Sequence, residues 1–264
     1  TLTEPSPIVV NANATDHNGV GVSCSGHMDG GMEAVVSGGA GTFSLSWNGP
    51  NGFTSNAQDL SGLESGSYTL TATDANGCSA SATIILEEPE ALAAIPALSD
   101  HNGHPISCPG ATDGSIILQV DGGTAPIILA WNGPGGFTSD ESALNGLGAG
   151  TYTVTISDAN GCILQDSFTL DAPQPLAIDL TPDVYSGGHN VSCSGADDGA
   201  VDMTINGGTA PFTVLWTDGL GFTSSQEDIA NVGAGIYHVT VTDVNGCETS
   251  ETIALTSPQP LGLS

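Results

Sequence analysis

The 264-residue chain has no lysine and no arginine, against 29 aspartates and glutamates, giving a formal charge of −29. This absence excludes whole classes of activity. Nucleic-acid binding needs cations to displace counterions from phosphate, and clamps for phosphoryl groups or carboxylates normally use an arginine or lysine fork. Isopeptide crosslinks that start from lysine are equally impossible, so whatever rigidifies the chain uses other chemistry. Aromatic residues make up only 5 %. No apolar run approaches the roughly 18–20 residues of a membrane span, and no signal peptide is recognisable, so a mature, soluble segment without membrane insertion is expected. Helix-length periodicity is missing too. The unopposed carboxylates repel one another over the roughly 8–10 Å of screening in ordinary salt, and high salt or divalent cations would relieve that repulsion.

What the chain does have is repetition. Cys24, Cys108 and Cys193 stand 84 and 85 residues apart, and Trp47, Trp131, Trp216 and Cys78, Cys162, Cys247 follow the same steps. A period that long, with a tryptophan and a cysteine pair in each copy, indicates an array of self-contained domains rather than a solenoid of small units. The joints recur as well: Glu87-Glu88-Pro89-Glu90, Asp171-Ala172-Pro173-Gln174 and Thr256-Ser257-Pro258-Gln259 lie in one register, and Thr3-Glu4-Pro5-Ser6 matches them one period earlier. The expected organisation is a tail of a preceding repeat (1–5), repeats at 6–89, 90–173 and 174–258, and the start of a following repeat (259–264). Proline in the joints removes a donor and fixes φ, which favours an extended, semi-rigid connection. Neighbouring repeats of one longer chain are therefore the first expected partners.

Within each copy the strand signals are regular. Ser115–Val120 and Ala200–Ile205 alternate and are rich in β-branched residues. Gly-Gly-Thr-Ala-Pro turns follow, and then return strands ending on Trp131 and Trp216. The runs starting at Gly66, Gly150 and Gly235 have the form Gly-x-Tyr and alternate as half-buried strands. An Asp-x-Asn-Gly turn then precedes the second cysteine and a final strand. Six or seven short strands per copy, with hydrophobic content of 39 % and 37 glycines, predict an all-β protein: a tandem array of three immunoglobulin-like β-sandwich domains.

Six cysteines in three equivalent pairs place the chain in an oxidising, extracellular setting. The expected disulfides are Cys24 with Cys78, Cys108 with Cys162 and Cys193 with Cys247, each closing a loop worth about 4 kcal/mol in the chain-entropy model. One feature sits badly with that pairing. In an ordinary immunoglobulin domain the bridged cysteines lie mid-strand in the core, whereas here one precedes a strand and the other follows a turn. The alternative is a bridge from one copy to the next, which would leave unpaired thiols at the ends of the chain.

The run from Cys108 through Asp113-Gly114, Gly122-Gly-Thr-Ala-Pro, Trp131 and Gly150-Thr-Tyr to Asp158-Ala-Asn-Gly-Cys162 resembles the SprB-type repeat of very large cell-surface adhesins in gliding bacteria of the Bacteroidota type. The resemblance extends over all three copies, with Gly38-Gly-Ala-Gly-Thr departing in the first and Thr217-Asp-Gly in the third. It implies secretion to the bacterial cell surface and a role in adhesion or gliding motility.

Candidate chemistry is sparse. Asp29, Asp113 and Asp198 ahead of a glycine, and Asp74, Asp158 and Asp243 in the Asp-x-Asn-Gly turns, place hard oxygens where calcium loops do. Asp and Asn also build such turns by bonding their own backbone. Turn formation is the expectation, with calcium at these turns the competing one. The histidines His17, His27, His101, His104, His189 and His238 do not recur in all three copies, and neither converging acid-base groups nor a zinc set is expected of them. No nucleophile elbow, His-Glu-x-x-His or phosphate loop is present, so no enzyme is expected. The tryptophans would stack on sugars if exposed, but their strand positions predict burial. Asn13-Ala-Thr15 and Asn190-Val-Ser192 fit the glycan acceptor pattern. The leading expectation is a structural and adhesive spacer, with each domain about 35 Å long and three about 100 Å. The alternative is a polysaccharide-binding module, free-standing or attached to a secreted hydrolase. Surface polysaccharide and other cell-surface proteins are the further partners considered.

Overall fold

The computed structural model describes residues 4–260. All its regular elements are strands apart from two single turns of 3-10 helix at Pro50–Gly52 and Pro134–Gly136. The first repeat contains β1 (Val9–Ala14), β2 (Gly30–Ser37), β3 (Ser44–Asn48), β4 (Thr54–Ser55), β5 (Asp59–Leu63), β6 (Gly66–Thr73) and β7 (Ser79–Leu86). The second contains β8 (Ala93–Leu98), β9 (Gly114–Asp121), β10 (Ile128–Asn132), β11 (Thr138–Ser139), β12 (Ala143–Leu147), β13 (Gly150–Ser157) and β14 (Ile163–Leu170). The third contains β15 (Ala177–Pro182), β16 (Gly199–Asn206), β17 (Thr213–Thr217), β18 (Thr223–Ser224), β19 (Ile229–Val232), β20 (Gly235–Thr242) and β21 (Glu248–Leu255).

Each repeat pairs its strands into two antiparallel sheets, ordered β1-β2-β5 and β4-β3-β6-β7 in the first and equivalently in the others. The chain is thus a tandem array of three immunoglobulin-like β-sandwiches, as its strand pattern predicts. Alternation explains the layering. Along β13, Tyr152, Val154 and Ile156 point inward and are buried, while Thr151 faces out and pairs with Thr169 of β14 at 3.0 Å. Such pairs on the solvent face add cross-strand contacts without lysine or arginine.

Each sandwich has its own core. Trp47, Trp131 and Trp216 are at most 1 % exposed, and each indole N–H donates to a main-chain carbonyl, of Ala57, Glu141 and Glu227, at 3.0–3.1 Å. The expected burial of the tryptophans is therefore correct, and none is available to stack on a sugar. Tyr68, Tyr152 and Tyr237 lie near the start of their strands. Their hydroxyls donate to carbonyls four residues upstream at 3.0–3.1 Å, the corner interaction typical of immunoglobulin-like sandwiches.

The strand order gives every repeat two poles. In the first repeat β1 leads away from the N-terminal pole, so the loop 15–29 lies at the far pole. The turn 74–78 after β6 lies back at the N-terminal pole, and β7 crosses the sandwich again to the joint. Eight residues of strand, about 26 Å, separate Cys24 from Cys78. A disulfide requires Cα atoms within about 7 Å, so the expected pairing inside each repeat is wrong. The structure instead joins Cys24 to Cys162 and Cys108 to Cys247, each with a Cα–Cα distance of 5.7 Å. Cys78 and Cys193 are unpaired and exposed. The loops closed span 138 and 139 residues, each worth about 5 kcal/mol in the chain-entropy model. They interleave, because Cys108 lies inside the first loop and Cys162 inside the second.

Candidate functional site

The two junctions between repeats are where recurring side chains converge. Each has an acceptor half, the far-pole loop of one repeat, and a donor half, the Asp-x-Asn-Gly-Cys turn of the next. In the donor half the aspartate is nearly enclosed: Asp158 is 6 % exposed. Its Oδ1 accepts the N–H groups of Asn160 and Cys162 at 2.9 Å, and its Oδ2 accepts that of Thr124 at 2.8 Å. Asp74 and Asp243 repeat this pattern. Burial raises the Asp74 carboxyl, but the N–H groups of Cys78, Ala40, Asn76 and Gly77 outweigh it and leave the group below the ordinary aspartate range. The carboxylate thus ties the hairpin turn to the Gly-Gly-Thr turn, and both oxygens are used.

With its backbone fixed, the turn projects one asparagine into the preceding repeat. Nδ2 of Asn160 faces the main-chain carbonyls of His17 (3.1 Å) and Ser23 (3.0 Å), and its Oδ1 accepts from Nδ2 of Asn18 at 2.6 Å. At the second junction Asn245 faces His101 O and Ser107 O at 3.2 and 3.3 Å and accepts from Asn102 at 2.5 Å. Two amide protons match two carbonyl acceptors, and the amide oxygen meets a donor. The disulfide lies alongside, with the Cys162 sulfur 3.4 Å from the Ser23 carbonyl oxygen.

The acceptor half is preformed by its own aspartates. Asn18 and Asn102 sit in the left-handed region, φ 54° and 56°, where asparagine is tolerated. There Asp16 and Asp100 accept the N–H of Gly19 and Gly103 at 2.6 Å. Asp29 receives both the hydroxyl and the N–H of Ser23, which hold its carboxyl below the ordinary range. Ser107 acts likewise on Asp113, and Ser192 on Asp198. The serine held in this way immediately precedes the first cysteine, and at both junctions its carbonyl receives the incoming asparagine.

The proline joint is held from both sides. The carbonyl of Glu87 accepts the N–H groups of Gly21 and Val22 at 2.8 and 3.0 Å, and that of Glu90 accepts Gly123 N–H at 2.8 Å. Gly122 permits this closeness, with φ 74° and no room for a Cβ against the Ala91 carbonyl. A crevice at the first junction is lined by Cys24, Ser25 and His27, by Pro89–Leu92, and by Gly161–Leu164.

Four of the six aspartates singled out from the sequence, Asp29, Asp113, Asp158 and Asp243, are thus brought to the two junctions, and four of the six cysteines with them; Asp74 and Asp198 shape the equivalent turn and loop at the outer poles of the first and third repeats. His17 and His101 lie there too, contributing main-chain carbonyls, while His238 bonds Thr252 on a sheet surface. Among the described residues no three of His, Cys, Asp and Glu cluster as a metal site. Asn190 is 8 % exposed, and its amide bonds Asp183 O and Thr256 N, so it is not free to carry a glycan. Sequence reasoning missed the asparagines as contacts. Their signal was available, since Asn76, Asn160 and Asn245 recur in all copies, and Asn18 and Asn102 recur with the same period as the first cysteine.

In class, the chain is an array of immunoglobulin-like repeats bridged to one another by disulfides. The family described as SprB repeat matches residues 104–136 and 189–221, which take in part of the acceptor loop and strands β9 and β10 of the second copy and their equivalents β16 and β17 in the third, consistent with SprB-type repeats there. No curated protein matches the chain. Among solved structures it is similar to extracellular domains 3–5 of Drosophila OTK, at 13 % identity over 87 % of this chain and 91 % of that one, TM-score 0.31. It is similar to a tetra-tandem repeat in the extending region of a large adhesion protein, at 17 % identity over 95 % and 75 %, TM-score 0.30. A 1.5-MDa bacterial ice-binding adhesin matches at 16 % identity over 98 % and 100 %, TM-score 0.45. No helix among the described residues is long and apolar enough to cross a membrane.

The asparagine contact should be measurable by itself. With the disulfides intact, a double-mutant cycle of Asn18→Ala and Asn160→Ala, read by thermal unfolding, should give a coupling of about 0.5–1.5 kcal/mol. Additive losses would contradict a direct amide contact.

Proposed function

We propose that this chain is a repeat segment of a long secreted filament or adhesin at the bacterial cell surface, acting as a rod-like, tension-resistant spacer in attachment or gliding motility. The observation that carries this reading is the interleaving of the two inter-repeat disulfides. A string of independent domains lengthens each time one unfolds, because the whole unfolded chain joins the load path. Here the route of force jumps from Cys24 to Cys162, returns to Cys108, and jumps to Cys247. That route contains about 94 residues, roughly 330 Å fully extended, against about 263 residues and roughly 920 Å without the bridges. The asparagine clamp and the pinned joint resist bending at the same places, so adjacent sandwiches are coupled in orientation as well as in length.

The alternative, a polysaccharide-binding module, finds no support at the tryptophans, which belong to the cores. The absence of cationic side chains suits a spacer, since an acidic surface discourages lateral association of like chains. We take the Asp-x-Asn-Gly turns to be closed by their own backbone rather than by calcium, because both oxygens of each aspartate already accept N–H groups.

Single-molecule stretching tests the load path. Removing either bridge alone, by Cys162→Ser or Cys247→Ser, should lengthen the fully unfolded chain to about 125 residues, roughly 440 Å, a gain of about 31 residues. A gain of about 54 residues would contradict interleaving, because that is what bridges confined to single repeats return. On calcium, a chelator should leave the melting temperature unchanged, and a fall of several degrees would overturn the backbone-only reading of the turns.

A further inference from the structure

The chain carries three donor turns and three acceptor loops, and two of each are engaged. The turn 74–78 of the first repeat and the loop 185–198 of the third remain. Both are already shaped for a junction. Asp74 accepts the N–H groups of Ala40, Asn76 and Cys78 at 3.0, 2.9 and 2.9 Å, as its counterparts do in the engaged turns. Asp198 accepts Ser192 N–H at 3.0 Å, as Asp29 accepts Ser23 N–H. No side-chain partner of Asn76 is present among the described residues, although Asn160 and Asn245 both reach into a neighbour.

A second observation points to what the free halves receive. A crevice lined by Ser192, Cys193, Ser194 and Pro258–Pro260 corresponds to one wall of the crevice at the first junction, where Cys24, Ser25 and Pro89–Leu92 occupy the equivalent places. The opposite wall there is Gly161–Leu164 of the following repeat. The third repeat has the acceptor wall and lacks the donor wall. Cys78 and Cys193 do not complete each other within one chain, since Cys78 lies at the pole of the first repeat facing away from the second, and Cys193 at the pole of the third facing away from the second.

We propose that the Cys193 loop and the Cys78 turn are complementary half-junctions, each of which takes the matching half of another copy of this repeat, with Cys193 of one copy bonded to Cys78 of the next. The inference rests on the spacer reading and extends it: the array is polar, and one lock propagates it in both directions. Two thiols give up two protons and two electrons to form the bond, and a small-molecule disulfide accepts them, becoming two thiols. The third acceptor loop differs in one respect. Between its first two strands it is one residue longer than in the second repeat, 183–198 against 99–113, and Ser186-Gly187-Gly188 stand in the place of Asn102-Gly103. A junction made there keeps the Ser192 carbonyl and the disulfide and forgoes the asparagine pair.

If the pairing continues in this way, each connector from a second cysteine to the next first cysteine, such as the 31 residues from Cys162 to Cys193, links junctions two repeats apart. Nearly half of that connector is extended strand already, β14 followed by β15. That part holds little slack for tension to draw out.

Two copies joined in register test this, with Pro258 of the first followed directly by Ser6 of the second. This fusion separates Cys193 from the second copy's Cys78 by the 138 residues that separate Cys24 from Cys162. After refolding in reduced and oxidised glutathione, titratable thiols should fall from four to two per fusion. Digestion at Asp and Glu should yield one peptide pair linking Cys193 of the first copy to Cys78 of the second, and Cys193→Ser in the first copy should leave three thiols. Four thiols remaining, or either cysteine bonded elsewhere, would overturn the proposal. The same digest reports Cys24–Cys162 and Cys108–Cys247. If those are present and the new link is absent, only the extension fails; if those are absent too, the spacer reading fails with it.

Discussion

The length of one β-hairpin governs this molecule. Eight residues of strand separate the loop that holds the first cysteine from the turn that holds the second, about 26 Å, and no side chain closes that gap. Sulfur chemistry is therefore pushed outward, across the joint, to the facing pole of the neighbouring sandwich. The joints then become the most heavily crosslinked places in the chain, where ordinary multidomain proteins are most flexible.

The absence of lysine and arginine makes that arrangement more informative. Salt bridges from lysine or arginine are unavailable, and aspartates are used as acceptors for main-chain N–H groups. Asp74, Asp158 and Asp243 shape the donor turns, Asp29, Asp113 and Asp198 shape the acceptor loops, and Asp16 and Asp100 place the receiving asparagines. The cross-junction contacts themselves are neutral amides and carbonyls. These neither repel one another nor weaken in salt as ion pairs do, which suits a chain carrying so much charge of one sign.

Much of this was legible before any coordinates. The three copies, the sandwich class, the tryptophan burial and the role of Asp-x-Asn-Gly as a turn all follow from period, alternation and turn chemistry. The disulfide pairing did not follow from spacing, because 54 residues between cysteines says nothing about which pole each occupies. Counting strands contained the answer: Cys24 comes one strand after the joint, and Cys78 one strand before the next joint, which puts them at opposite ends. The asparagine contacts were hidden for a different reason. A turn motif reads as locally self-sufficient, and only the placement of a second repeat against it shows that its third residue faces outward to a partner. The third acceptor loop, rebuilt around Tyr185, whose hydroxyl donates to Asp198 O at 2.8 Å, breaks the local repeat and so obscured the period of Asn18 and Asn102.

The central claim is that sulfur bridges join repeats rather than close them. Peptide mapping of the unreduced chain, alkylated before digestion at Asp and Glu because trypsin has no site, tests it most directly. The account predicts Cys24 linked to Cys162, Cys108 linked to Cys247, and alkylated thiols at Cys78 and Cys193. Recovery of Cys24 linked to Cys78, with no alkylated cysteine, would contradict it.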